Sequence, residues 1–262
     1  MLINTVLLFL NNALPVFIIT SLLIRYFAIN YLDIVKVKQL SFGVIVTVIT
    51  SFILSSHLEN LSLILDGKGT ELFLSFGAII VYLSTVCLFI LSHKNDYTSV
   101  KKYLAILIFF IISVFNGAHF IIYLVSYWTQ AQQDETVLIG ITLGGGICLS
   151  ISILFYFLLR YLDKRIYNQS SCYFLLFFGL GQLMQAIMFL QQVDIFSSSQ
   201  SIWDSGEIIA EDSGLGQLLT VLFGYETTPS LLQLVSYAAA LILPVMLLKL
   251  PYISLSFYGK KS

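Results

Sequence analysis

Long apolar runs alternate with short charged connectors along this chain. From Leu2 to Ile24 no residue is charged, and six further runs follow the same plan. Their bounds are roughly 3–25, 40–57, 70–92, 103–127, 136–159, 171–191 and 230–249. A helix needs about 20 apolar residues to cross the hydrocarbon of a bilayer. The pattern predicts an all-α, polytopic membrane protein with seven transmembrane helices, the second being the shortest. Composition agrees. Apolar residues are 58% of the chain and charged residues 10%, against about 25% charged in soluble domains. Mean hydropathy is +0.92. A single membrane domain over residues 1–262 is expected. Its first run has no basic segment ahead of it, so it reads as a retained span rather than a cleaved signal.

The connectors fix an expected orientation. Placed alternately on two sides, twelve of the thirteen Lys and Arg residues share one side, and only Lys68 lies opposite. The excess of basic residues in cytoplasmic connectors predicts an external N-terminus and a cytoplasmic C-terminus. Acids show the reverse bias. Asp33, Asp96 and Asp163 fall on the basic side. Glu59, Asp66, Glu71, Asp134, Glu135, Asp194, Asp204, Glu207, Glu211, Asp212 and Glu226 fall on the other side or at its edge. Such a face either gathers cations or is simply a solvated exterior. Net charge is −1, which gives no footing for nucleic acid. The longest connector, 194–230, opens with a Ser-rich loop. It then predicts a short amphipathic helix near Leu215–Phe223, lying on the membrane face or dipping into it.

Polar residues inside the runs carry the candidate chemistry. Asn4, Asn11, Asn12 and Pro15 share one stripe of the first helix, and Ser113, Asn116, His119 and Tyr123 share one of the fourth. Groups of this kind at mid-membrane face the bundle interior, where they either glue helices together or line a path. The fourth helix comes three helices after the first. That odd number predicts two inverted three-helix repeats, about 3–92 and 103–191, followed by a C-terminal helix, the arrangement of a transporter. Glu71 opens the third run, where an acid caps a helix N-terminus or receives a cation. Gln182 and Gln185 read as packing groups or as path lining. His57 and His93 read as interfacial. The glycines of "LGGGICLS", Leu143 to Ser150, read as close-packing surfaces. Cys87, Cys148 and Cys172 read as small buried residues. No nucleophile–base pair, paired intramembrane carboxylate or phosphate loop occurs, so neither an enzyme nor a bound cofactor is expected.

Four stretches carry a family resemblance. They are "MLINTVLLFLNNALPVFIITSLL", "FNGAHFIIYLVSYWTQAQQ", "VLIGITLGGGICLSISILFYFLL" and "SGLGQLLTVLFGYETTPSLLQLVSYAAALILP". Together they resemble the oxidase-dependent high-affinity iron permeases of bacteria and fungi. That family bears Arg-Glu-Gly-Leu-Glu in its first and fourth spans. Here the motifs fall on Asn11 to Pro15 and on Phe115 to His119, so only Leu14 and Gly117 agree. In the third span, "ELFLSFG" keeps Glu71 and has Leu74 where the family often has a second glutamate. The resemblance implies iron import across the plasma membrane, the inner membrane of a bacterium. The metal path would use Asn12, Asn116, His119 and Glu71. Glu207, Glu211 and Asp212 would collect cations outside, and a periplasmic cupredoxin, oxidase or iron-binding protein would be the partner. Amide and imidazole ligands carry less charge than carboxylates, which points to a divalent ion such as ferrous iron. The same resemblance also fits a non-transporting scaffold that docks periplasmic iron-handling proteins, or a carrier of another divalent metal.

Overall fold

A computed structural model describes residues 2–30, 37–93, 97–130, 134–166, 169–196, 201–211 and 213–249. Every element is a helix: α1 (Leu2–Ile29), α2 (Val37–Ser62), α3 (Gly69–Ser92), α4 (Thr98–Gln130), α5 (Asp134–Arg165), α6 (Ser170–Gln192), α7 (Gly214–Phe223) and α8 (Leu231–Lys249). Among the described residues no strand forms beyond one isolated bridge, Ser201 to Ser230. Six helices are long and apolar enough to cross a bilayer: α1, α3, α4, α5, α6 and α8. The chain is a multi-pass membrane protein. In α2 the apolar stretch is shorter, Gly43–Leu58. Its Val44, Ile45, Val48, Ile49, Phe52 and Ile53 are all exposed, which gives that helix an apolar outer face.

Helix α1 carries one long buried stripe. Leu10, Leu14, Ile18, Leu22 and Tyr26 recur every four residues and are buried. This single stripe faces neighbours rather than lipid. The helix packs along α5 and against α4, α6 and α7. Two glycines explain how closely α1 and α5 approach. A Cβ on Gly140 would lie 2.7 Å from Thr5 Cβ, and one on Gly144 would lie 2.7 Å from Phe9 Cβ. Small residues four apart let helix backbones meet, which substitutes dispersion contacts for the hydrophobic drive that lipid does not provide. Within the glycine run, Gly144 and Gly145 thus pack on Phe9, whereas Gly146 meets nothing within 4 Å. Further along the pair, Ser21 Oγ and Ser152 Oγ are 2.6 Å apart, and Ser152 Oγ donates to Phe17 O at 3.0 Å.

The other main pairings are α2 with α4 and α3 with α6, and α3 also packs on α4. Phe115 of α4 sits over Gly77 of α3, and Thr85 of α3 sits over Gly179 of α6. Of the cysteines, Cys148 and Cys172 are buried as expected, whereas Cys87 is exposed. It lies on the side of α3 turned away from its neighbours.

Contacts between helix ends sort the bundle into two faces. Tyr26 donates to Leu88 O, Arg25 bonds Asp163, and Lys101 Nζ reaches Asn30 Oδ1, all at one end. Thr70 reaches Leu58 O, and Gln191 reaches Ser230 Oγ, at the other. The first is here called the basic face and the second the acidic face.

The connector between α6 and α8 does not lie flat. Ser213 caps α7, its Oγ accepting from Gly216 N at 3.0 Å, and Gly224 ends it with a left-handed φ of 67°. At this turn Gly224 meets Gly181 of α6. A Cβ on Gly224 would lie 2.8 Å from Gly181 Cα. The chain then returns to Ser230, which bonds Gln191 at 3.2 Å. Gly181 lies ten residues before Gln191, about 15 Å along a helix at 1.5 Å per residue. Helix α7 and its return arm therefore form a hairpin whose apex reaches the middle of α6. Leu222 of α7 is part of the main core, and the ring of Phe223 is 5.4 Å from that of Phe177. Of the two sequence alternatives, a helix on the surface or one that dips, the second holds. Backbone of this kind is tolerated at membrane depth only where protein covers it, and α1 and α6 do so here.

Candidate functional site

The two polar stripes lie on helices that touch. Phe9 of α1 and Phe120 of α4 meet edge to face, with ring centroids 5.0 Å apart. Asn12 follows Phe9 by three residues, and Asn116 and His119 precede Phe120. Asn12 Nδ2 donates to Leu8 O at 2.9 Å, and Asn116 Nδ2 donates to Ile112 O at 2.9 Å. Each amide thus turns its nitrogen back onto the carbonyl four residues earlier in its own helix. No hydrogen bond from the described residues reaches either Oδ1, nor the His119 ring. All three side chains are half-buried. In chemical terms, two amide oxygens and one imidazole stand inside the bundle with their acceptor capacity unused. An amide oxygen is a hard neutral donor, and imidazole suits borderline divalent ions. Within the first stripe Pro15 is buried and Asn11 is exposed.

Helix α3 brings in Glu71. Its neighbour Phe73 lies 5.5 Å, ring to ring, from Phe115, the residue before Asn116. Glu71 is in the first turn of α3, whose N-cap, Lys68, makes no side-chain capping bond. The carboxylate therefore meets the positive end of the helix dipole, yet its Oε2 is buried and without a hydrogen-bond partner. The Oγ of Ser113, in the α4 stripe, is in the same position. Buried polar atoms are normally satisfied; among the described residues Gln169 Oε1 and Gln217 Oε1 share this state. Among the described residues no three His, Cys, Asp or Glu side chains form a metal shell. The Asn12, Asn116 and His119 set contributes one such side chain and relies on amides for the rest.

The external acids are placed differently from one another. Glu207 is exposed. Glu211 is engaged: its Oε1 accepts from Thr227 N at 2.6 Å and from Thr227 Oγ1 at 2.8 Å, which ties the return arm of the hairpin to the segment before α7. Asp212 lies outside the described residues. Gln182 is buried in α6, while Gln185 is exposed.

Sequence reasoning missed a polar cluster at the basic face. Arg25 Nε donates to Asp163 Oδ2 at 2.6 Å, and Ser171 gives the same carboxylate two more bonds, from N at 2.9 Å and from Oγ at 2.5 Å. The Asp163 side chain is 1% exposed. The cluster joins α1, α5 and α6. Asp163 is bracketed by Arg160, Lys164 and Arg165 and so reads as a connector charge. Its helical phase held the signal, because it follows the fully buried Leu159 by four residues. Compared with protein-family models, with curated proteins and with solved structures, the chain has no match in any of the three.

Proposed function

We propose that the chain is a membrane permease that carries a metal cation from the acidic to the basic face, with iron as the ion that the family resemblance favours. The observation that carries this reading is the matched pair of asparagines. Asn12 and Asn116 sit mid-helix on contacting helices, each with its nitrogen satisfied and its oxygen free. His119 adds a nitrogen ligand, and Glu71 supplies a carboxylate oxygen on the approach from the acidic face. Without formal charge, the central three suit a divalent ion better than a trivalent one. Pro15 lacks an N–H, which releases the Asn11 carbonyl as a further oxygen donor.

Helix pairing supports an inverted duplication. Exchanging α1 with α4, α2 with α5 and α3 with α6 turns the α1–α5 pair into α4–α2, and α3–α4 into α6–α1. It turns α2–α3 into α5–α6 and leaves α1–α4 and α3–α6 unchanged. Of the contacts among these six helices, as far as the described residues go, only the small one between α4 and α5 lacks a mate. On this reading α2 is the seventh span, the basic face is cytoplasmic and the membrane is the plasma membrane, the inner one in a bacterium.

Radioactive iron uptake by cells making the chain tests the proposal, with Asn12→Ala and His119→Ala alongside. Uptake above the empty-vector level, lost in both variants, is expected. Uptake that both variants retain removes the α1–α4 path. A second reading, a scaffold that docks periplasmic iron-handling proteins, is favoured by the ordered cap over the hairpin, where Ser205 N bonds Thr227 O and Ile202 N bonds Pro229 O. It predicts no uptake, even after glutamate is placed at positions 12, 15, 116 and 119.

A further inference from the structure

Between the return arm of the hairpin and α8 lies a cavity of about 370 Å³. Its walls include Met184 of α6, Phe223 and Tyr225 at the apex, Tyr237 of α8 and Trp203 from the overlying segment. Glu226 stands among them. Its Oε2 accepts from Gln233 Nε2 at 2.5 Å. Gln233 is fixed in that role. Its Oε1 takes the Ser230 backbone N–H at 2.7 Å, and Ser230 Oγ accepts from the Gln233 N–H at 3.3 Å. This reciprocal pair is the capping box that starts α8, so the amide that holds the carboxylate cannot swing away.

Glu226 has no cationic partner among the described residues. A half-buried carboxylate among aromatic rings and without counter-charge is unfavourable, and a cation bound beside it would relieve it. A metal ion would need several oxygen ligands, whereas this wall offers one carboxylate amid rings. An ammonium group on a small apolar body suits it better. The carboxylate accepts its N–H bonds, ring faces attract the cation, and the volume falls within the range of small-molecule sites.

We propose that this cavity binds an alkylammonium compound, with Glu226 as counter-ion and Trp203, Tyr225 and Tyr237 as aromatic walls. It is separate from the α1–α4 path and does not depend on it. An ammonium group reaches it from two sources, a free amine in solution or the ethanolamine headgroup of a lipid.

The chain has two tryptophans, Trp128 and Trp203, so Trp128→Phe leaves Trp203 as the reporter. In phosphatidylglycerol nanodiscs, phenethylammonium is expected to change Trp203 fluorescence saturably. Glu226→Gln, which keeps the shape of the side chain, is expected to weaken binding at least about tenfold. The neutral 2-phenylethanol is expected to bind at least about tenfold more weakly than the amine, a comparison that needs no variant. Calorimetry on Tyr237→Leu is expected to show weaker binding as well. Repeating the titration with phosphatidylethanolamine in the disc separates the sources: a lower apparent affinity assigns the site to the lipid headgroup, and an unchanged one to a soluble amine. Absence of saturable binding in phosphatidylglycerol discs, equal affinity for the amine and the alcohol, or an unchanged affinity in a folded Glu226→Gln protein overturns the proposal.

Discussion

Asp163→Asn is the substitution whose cost the structure sets most clearly. The carboxylate accepts three hydrogen bonds, from Arg25 Nε and from Ser171 N and Oγ, at 2.6, 2.9 and 2.5 Å. The Arg25 side chain is 14% exposed and that of Asp163 1%. Asparagine keeps the volume but has one acceptor oxygen where aspartate has two. Its NH2 group then faces either the guanidinium or the Ser171 donors, and Arg25 keeps its charge without a counter-ion. Removing one partner of a buried ion pair costs about 3–5 kcal/mol. Part of that would reflect the lost Ser171 bonds, which the Arg25→Met single variant leaves intact. A double-mutant cycle on Arg25→Met and Asp163→Asn isolates the pair. We expect a coupling of at least about 2 kcal/mol, since the two residues share one network. Thermal unfolding of the purified protein in detergent, read by circular dichroism, gives the four stabilities. A coupling below about 0.5 kcal/mol, the level of exposed ion pairs, would refute the view that this contact clamps α1, α5 and α6 together.

Three more outcomes follow from the packing. Gly224→Ala places a residue with a Cβ in the left-handed region, at about 1–2 kcal/mol, and puts that Cβ 2.8 Å from Gly181 Cα; melting should fall by more than the conformational term alone, whereas Gly146→Ala, which meets nothing within 4 Å, should leave it unchanged. Gly144→Val drives a branched side chain into Phe9 and should destabilise α1–α5 packing by about 1–3 kcal/mol, visible in the same melt. In a cysteine-free background, Leu63→Cys should react with a membrane-impermeant maleimide added to intact cells and Lys164→Cys should not; the reverse pattern would invert the proposed orientation.

Much of the helix plan was legible because lipid imposes one rule, an apolar run of fixed length with charges at its ends. Run edges near 70, 92, 171 and 191 fall within two residues of the ends of α3 and α6. The glycines of α5 were also readable as packing, since small residues four apart have one principal use in a membrane. Depth was not legible. The "GLGQLLTVLFGYE" segment has the composition of an interfacial helix, and only the meeting of Gly224 with Gly181 shows that it descends. The partners of Asp163 were hidden for a related reason. Its neighbours in sequence are basic and solvated, but its neighbours in space are Arg25 and Ser171. At the candidate site, the sequence identified the stripes by phase but gave no sign of how the amides turn. Their backbone bonds, at Leu8 and Ile112, are what leave the two oxygens free.

The most direct test of the central claim uses purified protein in liposomes, with radioactive ferrous iron supplied outside under reducing conditions. The account predicts time-dependent accumulation in the lumen, competed by other divalent ions and reduced at least about tenfold by His119→Ala together with Asn116→Ala. Accumulation at the rate of protein-free liposomes, or full accumulation by the double variant, would contradict it.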